Sequence, residues 1–261
     1  MKIIAIINQK GGVGKSTTAM AIGAGLSFKG YRVLCIDLDA QGNLSNTMGI
    51  DSTSMTCYSS MNVLNDNITA EQAIQHTKQG DIIASSPALS AADTVITELN
   101  KEYRLREALV PVHNNYDYAI IDTPPALGIL TVNALVAATD CLIPAQADVY
   151  SLHGINQLYR TIQLVKTYCN PQLNIMGILL TRYTGRTVIS RDVSKMMAQT
   201  AGQIETKLYS TRIRECTAVK EAQAVRQNIF TYAKRSNAAK DYNALIIEIL
   251  KEENQAHGKK R

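Results

Sequence analysis

Residues 8–17 read Asn8-Gln9-Lys10-Gly11-Gly12-Val13-Gly14-Lys15-Ser16-Thr17. They follow an apolar run, Ile3-Ile4-Ala5-Ile6-Ile7, and precede a stretch with Ala19, Ile22, Gly23 and Leu26 at helical spacing. A buried strand, a glycine-rich turn and a helix start, in that order, make a phosphate cradle. The glycines let the backbone curl with its N–H groups facing inward, and the helix N-terminus adds positive dipole. Lys15 brings a cation to terminal phosphates, and Ser16 offers a hydroxyl to Mg²⁺. The common form of such a loop, G-x-x-x-x-G-K followed by Ser or Thr, needs a glycine where Gln9 stands. A second lysine, Lys10, instead precedes Gly11-Gly12.

Working outward, residues 31–37 (YRVLCID) read as a second buried strand, with Gly30 as the stop of the intervening helix. The order strand, helix, strand implies a parallel sheet with right-handed crossovers. Further core strands are expected at residues 81–85, 116–122, 140–144 and 174–181. Helices are expected at 90–109, 151–168, 188–200 and 239–253, with a short one capped near Thr69. The predicted fold class is α/β: an open, mostly parallel β-sheet with helices on both faces. No Gly-, Ser- or Pro-rich linker divides the chain, so residues 1–255 are expected to form a single domain. Residues 256–261 are expected to form a short, disordered basic tail.

Composition narrows the class. The 261 residues are 46% hydrophobic and 19% charged, with no Trp and two Phe, so an aliphatic core is expected. No apolar stretch approaches the roughly 18 residues of a membrane helix. The five apolar residues before Asn8 are too few for a secretory leader, which places the protein in the cytoplasm. The five cysteines, Cys35, Cys57, Cys141, Cys169 and Cys216, lack C-x-x-C spacing and read as isolated thiols. The net charge of +5 is uneven: residues 1–181 hold 11 Lys/Arg against 14 Asp/Glu, and residues 182–240 hold 12 against 4. A block so basic is either a solvated face or a footprint for a polyanion.

Ligands of an open parallel sheet sit beyond the carboxyl ends of its strands. Asp37 and Asp39 close the second strand, and Asp122 closes another before Thr123-Pro124-Pro125. A hydrophobic strand ending in Asp suits a carboxylate that holds Mg²⁺ while the metal bridges β- and γ-phosphates.

The K-G-G-x-G-K-S/T form resembles the deviant Walker A loop of the ParA/MinD ATPases, and Asp37-Leu38-Asp39-Ala40-Gln41-Gly42-Asn43 resembles the Walker A′ segment of ParA proteins. Leu142-Ile143-Pro144-Ala145-Gln146, Tyr150-Ser151-Leu152-His153-Gly154, Ile213-Arg214-Glu215, Lys220-Glu221-Ala222-Gln223 and residues 232–239 extend the resemblance from residue 2 to about 250. The resemblance implies a Mg²⁺-dependent ATPase whose nucleotide is held by Lys10, Gly11, Gly12, Val13, Gly14, Lys15, Ser16 and Thr17. It implies that Lys10 crosses a homodimer interface, that Asp39 positions the attacking water, and that Ser16, Asp37 and Asp122 form the metal site. The tail lacks the apolar face of MinD-like membrane helices, and the cysteines suit no iron–sulfur relative. The expected function is therefore DNA partition: an ATP-sandwich dimer binds DNA non-specifically on the nucleoid and leaves it when a ParB-like centromere-binding adaptor stimulates hydrolysis. Arg235 matches the position of a DNA-contacting Arg in that family, with Lys234, Lys220 and Arg214 as expected neighbours; another basic position of some relatives is Ala218 here. A MinD-like positioning ATPase, or an assembly switch without DNA contact, is the alternative.

Overall fold

In the computed structural model, which describes residues 1–51, 58–185 and 188–258, seven strands form one sheet. They are β1 Lys2–Ile6, β2 Val33–Asp37, β3 Ile74–Thr77, β4 Gly80–Ile83, β5 Tyr118–Asp122, β6 Asp140–Ala145 and β7 Asn174–Leu180. Their order is β3-β4-β2-β5-β1-β6-β7. All neighbours run parallel except β3, which is antiparallel to β4 at the edge. The open, mostly parallel sheet expected from the sequence is therefore present.

The apolar runs are continuous because the central strands are covered on both faces. Alternate residues point to opposite sides. Ile3, Ala5, Ile7, Ile36 and Ile121 enter one core, which includes residues of the helices Ile129–Ala137, Val149–Tyr168 and Val188–Gln203. Ile4, Ile6, Cys35 and Ile120 enter the other, with Ala19, Ile22 and Leu26 of the helix Lys15–Phe28 and Tyr242, Leu245 and Ile246 of the closing helix Asn237–Gly258. Each such Leu or Ile is worth about 1.5–3 kcal/mol on full burial. A Cβ on Gly25 would run into Ile246 Cδ1 and Phe230, so glycine there sets how closely the first helix meets the last. The outer edge of β7 is covered by residues 208–213: the Tyr209 N–H donates to Ile178 O, and the Ile213 N–H donates to Leu180 O.

Register places the chemistry. Ile6 and Asp37 both stand opposite Asp122, so the carboxyl ends of β1, β2 and β5 lie level. The chain leaving β1 becomes the glycine loop at the height where the two carboxylates emerge.

Residues 90–109 do not make one helix. The chain forms a 3-10 turn Pro87–Ala91, a short helix Ala92–Val95, a second 3-10 turn Lys101–Tyr103 and a helix Arg104–Leu109. Asn100 between them is left-handed at φ 62°. The break is held by side chains: Asp93 Oδ1 accepts the Ile129 N–H at 2.7 Å, and Asn133 Oδ1 accepts the Leu105 N–H at 3.0 Å. Tertiary capping thus overrides local helical periodicity. The edge strand β3 and the helix Ile129–Ala137 were not anticipated. The closing helix runs over Asn237–Gly258, and residues 259–261 lie outside the described residues. Thr69 caps its short helix as expected, its hydroxyl accepting the Gln72 N–H at 3.3 Å. Cys35 and Cys141 are buried, Cys169 and Cys216 are half-buried, and Cys57 lies outside the described residues. Among the described residues no helix is long and apolar enough to cross a membrane.

Candidate nucleotide-binding site

Gly12 and Gly14 take φ of 73° and 85°, in the left-handed region where a side chain costs about 1–2 kcal/mol. Gly14 is also the N-cap residue of the helix Lys15–Phe28, and no side chain caps that terminus. Its first-turn N–H groups are thus available to an anion. The loop is held by groups distant in sequence. Asn8 Nδ2 donates to Pro144 O at 2.6 Å, Gln146 Nε2 to Gly12 O at 3.1 Å, and Thr181 Oγ1 to Val13 O at 2.7 Å. At the start of the helix, Gln223 Nε2 donates to Thr17 Oγ1 at 3.1 Å, and Tyr242 OH lies 3.1 Å from Thr18 Oγ1.

Lys15 is only 7% exposed. Burial lowers its pKa, while the charges of Asp122 and Asp39 pull it back up. Asp37 is fully buried and accepts hydrogen bonds from the Asp39 N–H at 3.1 Å, the Ser45 N–H at 2.8 Å and the Ser45 hydroxyl at 2.7 Å. Burial nevertheless pushes its pKa up to about 6. Asp122 is also fully buried, but neither carboxylate oxygen meets a donor at hydrogen-bonding geometry. Burial, then the Asp37 charge, drives its pKa well above the usual carboxylate range; the nearby Ser16 hydroxyl and Lys15 act the other way. Two buried acids, one without a partner, beside a hydroxyl and a lysine, form a donor set that fits a hard divalent cation.

A cleft of about 450 Å³ opens over the loop, lined by Gly11, Gly12 and Gly14 to Thr17, by Asp39, and on its far side by Arg182, Arg214, Cys216 and Lys220. Asp39 is 8% exposed and is oriented by its backbone carbonyl accepting the Ser85 hydroxyl and by its Oδ1 accepting the Gln41 N–H at 3.0 Å. The size, the glycine cradle and the flanking cations fit a nucleoside triphosphate.

The sequence candidates therefore divide. Residues 11–17, Asp37, Asp39 and Asp122 converge on one place. Lys10 is turned aside: its ammonium sits 2.5 Å from Asp148 Oδ2. Of the four expected DNA residues, Arg214 and Lys220 line the nucleotide cleft. Arg214 is tied to Asp241 through Nε and Nη2 at 2.9 and 2.6 Å. Lys234 and Arg235 lie elsewhere, exposed and without a salt-bridge partner among the described residues. Sequence reasoning gives no site role to Asp148, Gln146, Thr181, Gln223 and Tyr242, although Gln146 and Gln223 fall within the quoted motifs. Each meets the loop or its helix across more than 130 residues of chain, which no local pattern reports.

Comparison with known proteins agrees with this geometry. The family described as AAA domain matches residues 1–175. The sporulation initiation inhibitor protein Soj of Bacillus subtilis is 38% identical over 252 residues, covering 95% of this chain and 98% of Soj. The chromosome partitioning protein ParA of Myxococcus xanthus is 36% identical over 265 residues, covering 100% of this chain and 92% of ParA. A crystal structure of cobyrinic acid a,c-diamide synthase from Mycobacterium smegmatis, with bound ADP and magnesium, superposes with a TM-score of 0.85 at 32% identity, covering 98% of this chain and 96% of that one.

Proposed function

The chain belongs to the ParA/Soj family of P-loop ATPases, and from that membership we propose that it is a partition ATPase that closes as an ATP-bridged dimer on DNA. The observation that carries the nucleotide chemistry is the partnerless, buried Asp122 beneath a lysine-bearing glycine loop. The partition role rests on the names of its relatives, among them a chromosome partitioning protein matched along the whole of this chain.

In this reading Gly11 to Thr17 wrap the phosphates of ATP, and Lys15 neutralises their charge from a half-dry site where a cation acts strongly. Ser16 and Asp122, with Asp37 opposite Asp122, would hold Mg²⁺, which would supply positive charge to the reacting phosphates. Asp39 orients a water for attack on the γ-phosphorus; the P–O bond to ADP breaks, and phosphate leaves. Phosphoryl transfer needs positioning and fixed charge more than covalent help, and these residues supply both. Lys10 adds charge to the nucleotide of the second subunit. Lys234 and Arg235 contact DNA phosphates without reading bases. Arg214 and Lys220, by their place in the cleft, are assigned to the nucleotide side. A ParB-like centromere-binding protein stimulates hydrolysis and releases the dimer from the nucleoid in the cytoplasm.

Gel-shift assays with a random DNA duplex test this reading. A shift is expected with Mg²⁺–ATP or a slowly hydrolysed analogue, weaker with ADP and steeply weakened by salt. Equal retardation in all nucleotide states would overturn the switch, and no retardation would overturn DNA binding.

A further inference from the structure

Lys10 does not line the nucleotide cleft. Its ammonium lies 2.5 Å from Asp148 Oδ2, and each side chain is about one-third exposed. Asp148 is the N-cap residue of the helix Val149–Tyr168. Its Oδ1 accepts the Ser151 N–H at 3.0 Å, and its Oδ2 accepts the Ser151 hydroxyl at 3.2 Å. Burial works to raise the Asp148 carboxyl, and the bonds from Lys10 and Ser151 more than offset it, leaving it lowered. The pieces that meet here are already aligned: Asn8 ties the loop entry to Pro144, and Gln146 ties to Gly12. The Lys10 N–H donates to Asn8 Oδ1 at 2.9 Å, which sets the direction in which its side chain leaves the loop.

We infer that Asp148 is a positioning residue for Lys10, a clasp that keeps this lysine on its own subunit until a second ATP-loaded copy offers it a phosphate, so that the Asp148 carboxylate sets the threshold for dimer closure. The inference rests on the dimer reading above. The clasp is built to open: when Lys10 leaves, Asp148 keeps its bonds from Ser151 and stays a third exposed, so no uncompensated buried charge remains. A pair this exposed holds weakly, whereas a triphosphate offers several negative oxygens. Two clasps open per dimer, so the effect enters the association constant twice.

Sedimentation velocity with Mg²⁺ and a non-hydrolysable ATP analogue tests the clasp in the full chain. Asp148→Asn and Asp148→Ser both retain an N-cap oxygen and lose the charge, so either alone suffices if the other folds poorly. The expected result is dimer formation at a protein concentration about three- to tenfold lower than for the wild type. The gap should narrow when salt is raised to about 0.5 M, because screening loosens the wild-type pair. A wild-type chain that stays monomeric with saturating analogue removes the dimer reading and the clasp together. A wild type that dimerises, beside variants that dimerise equally or less readily, removes the clasp alone.

Discussion

Asp37 and Asp122 stand opposite each other on adjacent parallel strands, both fully buried, and only Asp37 has hydrogen-bond donors. The nucleotide-free fold therefore sets two buried acids side by side, and only Lys15 and the Ser16 hydroxyl act against the cost of charging Asp122. Replacing Asp122 by Asn removes the acid whose charging burial and Asp37 oppose, without changing the shape. At pH 8 the nucleotide-free variant is expected to be more stable by about 1 kcal/mol, seen as a melting point about 2–4 °C higher. The same variant should lose ATP turnover. Calorimetry with parallel phosphate-release assays checks both; a lower melting point would show that the carboxylate is structurally supported after all.

The glycines of the loop separate backbone strain from ligand approach. Gly14 has φ 85°, so Gly14→Ala should cost about 1–2 kcal/mol of stability. Gly11 has no positive φ, and a Cβ there meets nothing within 4 Å, so Gly11→Ala should melt like the wild type. Both variants should bind Mg²⁺–ATP at least about tenfold more weakly, a loss of roughly 1.4 kcal/mol, because a cradle of backbone N–H groups tolerates no side chain against the phosphates. Titration calorimetry decides; full affinity in Gly11→Ala would remove that residue from the cradle.

The central strands were legible because they are buried on both faces, and the edge strand β3, only partly buried, was not. Runs such as Val-Leu-Cys-Ile-Asp in β2 and Tyr-Ala-Ile-Ile-Asp in β5 leave no other reading, and these two close on an aspartate. The loop was legible because its chemistry is contiguous. What escaped has one physical character. The break between Ala92–Val95 and Lys101–Tyr103 depends on Asn133 and Asp93 bonding across 28 and 36 residues. The turning aside of Lys10 depends on Asp148, 138 residues away. Arg214 counts as part of a basic block in the sequence, but Asp241 takes up its guanidinium in the fold. Charge counted along a chain says nothing of which charges are already paired.

Asp39 lines the cleft with its side chain tied by a single bond from the Gln41 N–H. A carboxylate so placed can lose its role without disturbing the cradle. Asp39→Ala is expected to bind ATP with affinity near that of the wild type, to release phosphate at least about a hundredfold more slowly, and to accumulate as the ATP dimer. Single-turnover phosphate release with sedimentation in ATP tests this. Normal release would assign the water to another group.

Arg235 and Arg214 make the sharpest contrast within the basic block. Arg235 is exposed and makes no salt bridge among the described residues, so its charge is available to a polyanion. Arg214 bonds bidentately to Asp241 of the closing helix and lines the cleft over the glycine loop. Charge reversal at the two positions should therefore fail in different assays. Arg235→Glu is expected to keep ATP binding and dimer formation while DNA affinity falls at least about tenfold. The slope of log affinity against log salt should shrink by about one for each DNA phosphate that the arginine no longer neutralises. Arg214→Glu sets a carboxylate against Asp241, and should lower the melting point and weaken nucleotide binding before any DNA is added. If Arg214→Glu kept its stability and nucleotide affinity but lost DNA, the phosphate-contacting face would have to be redrawn through the cleft.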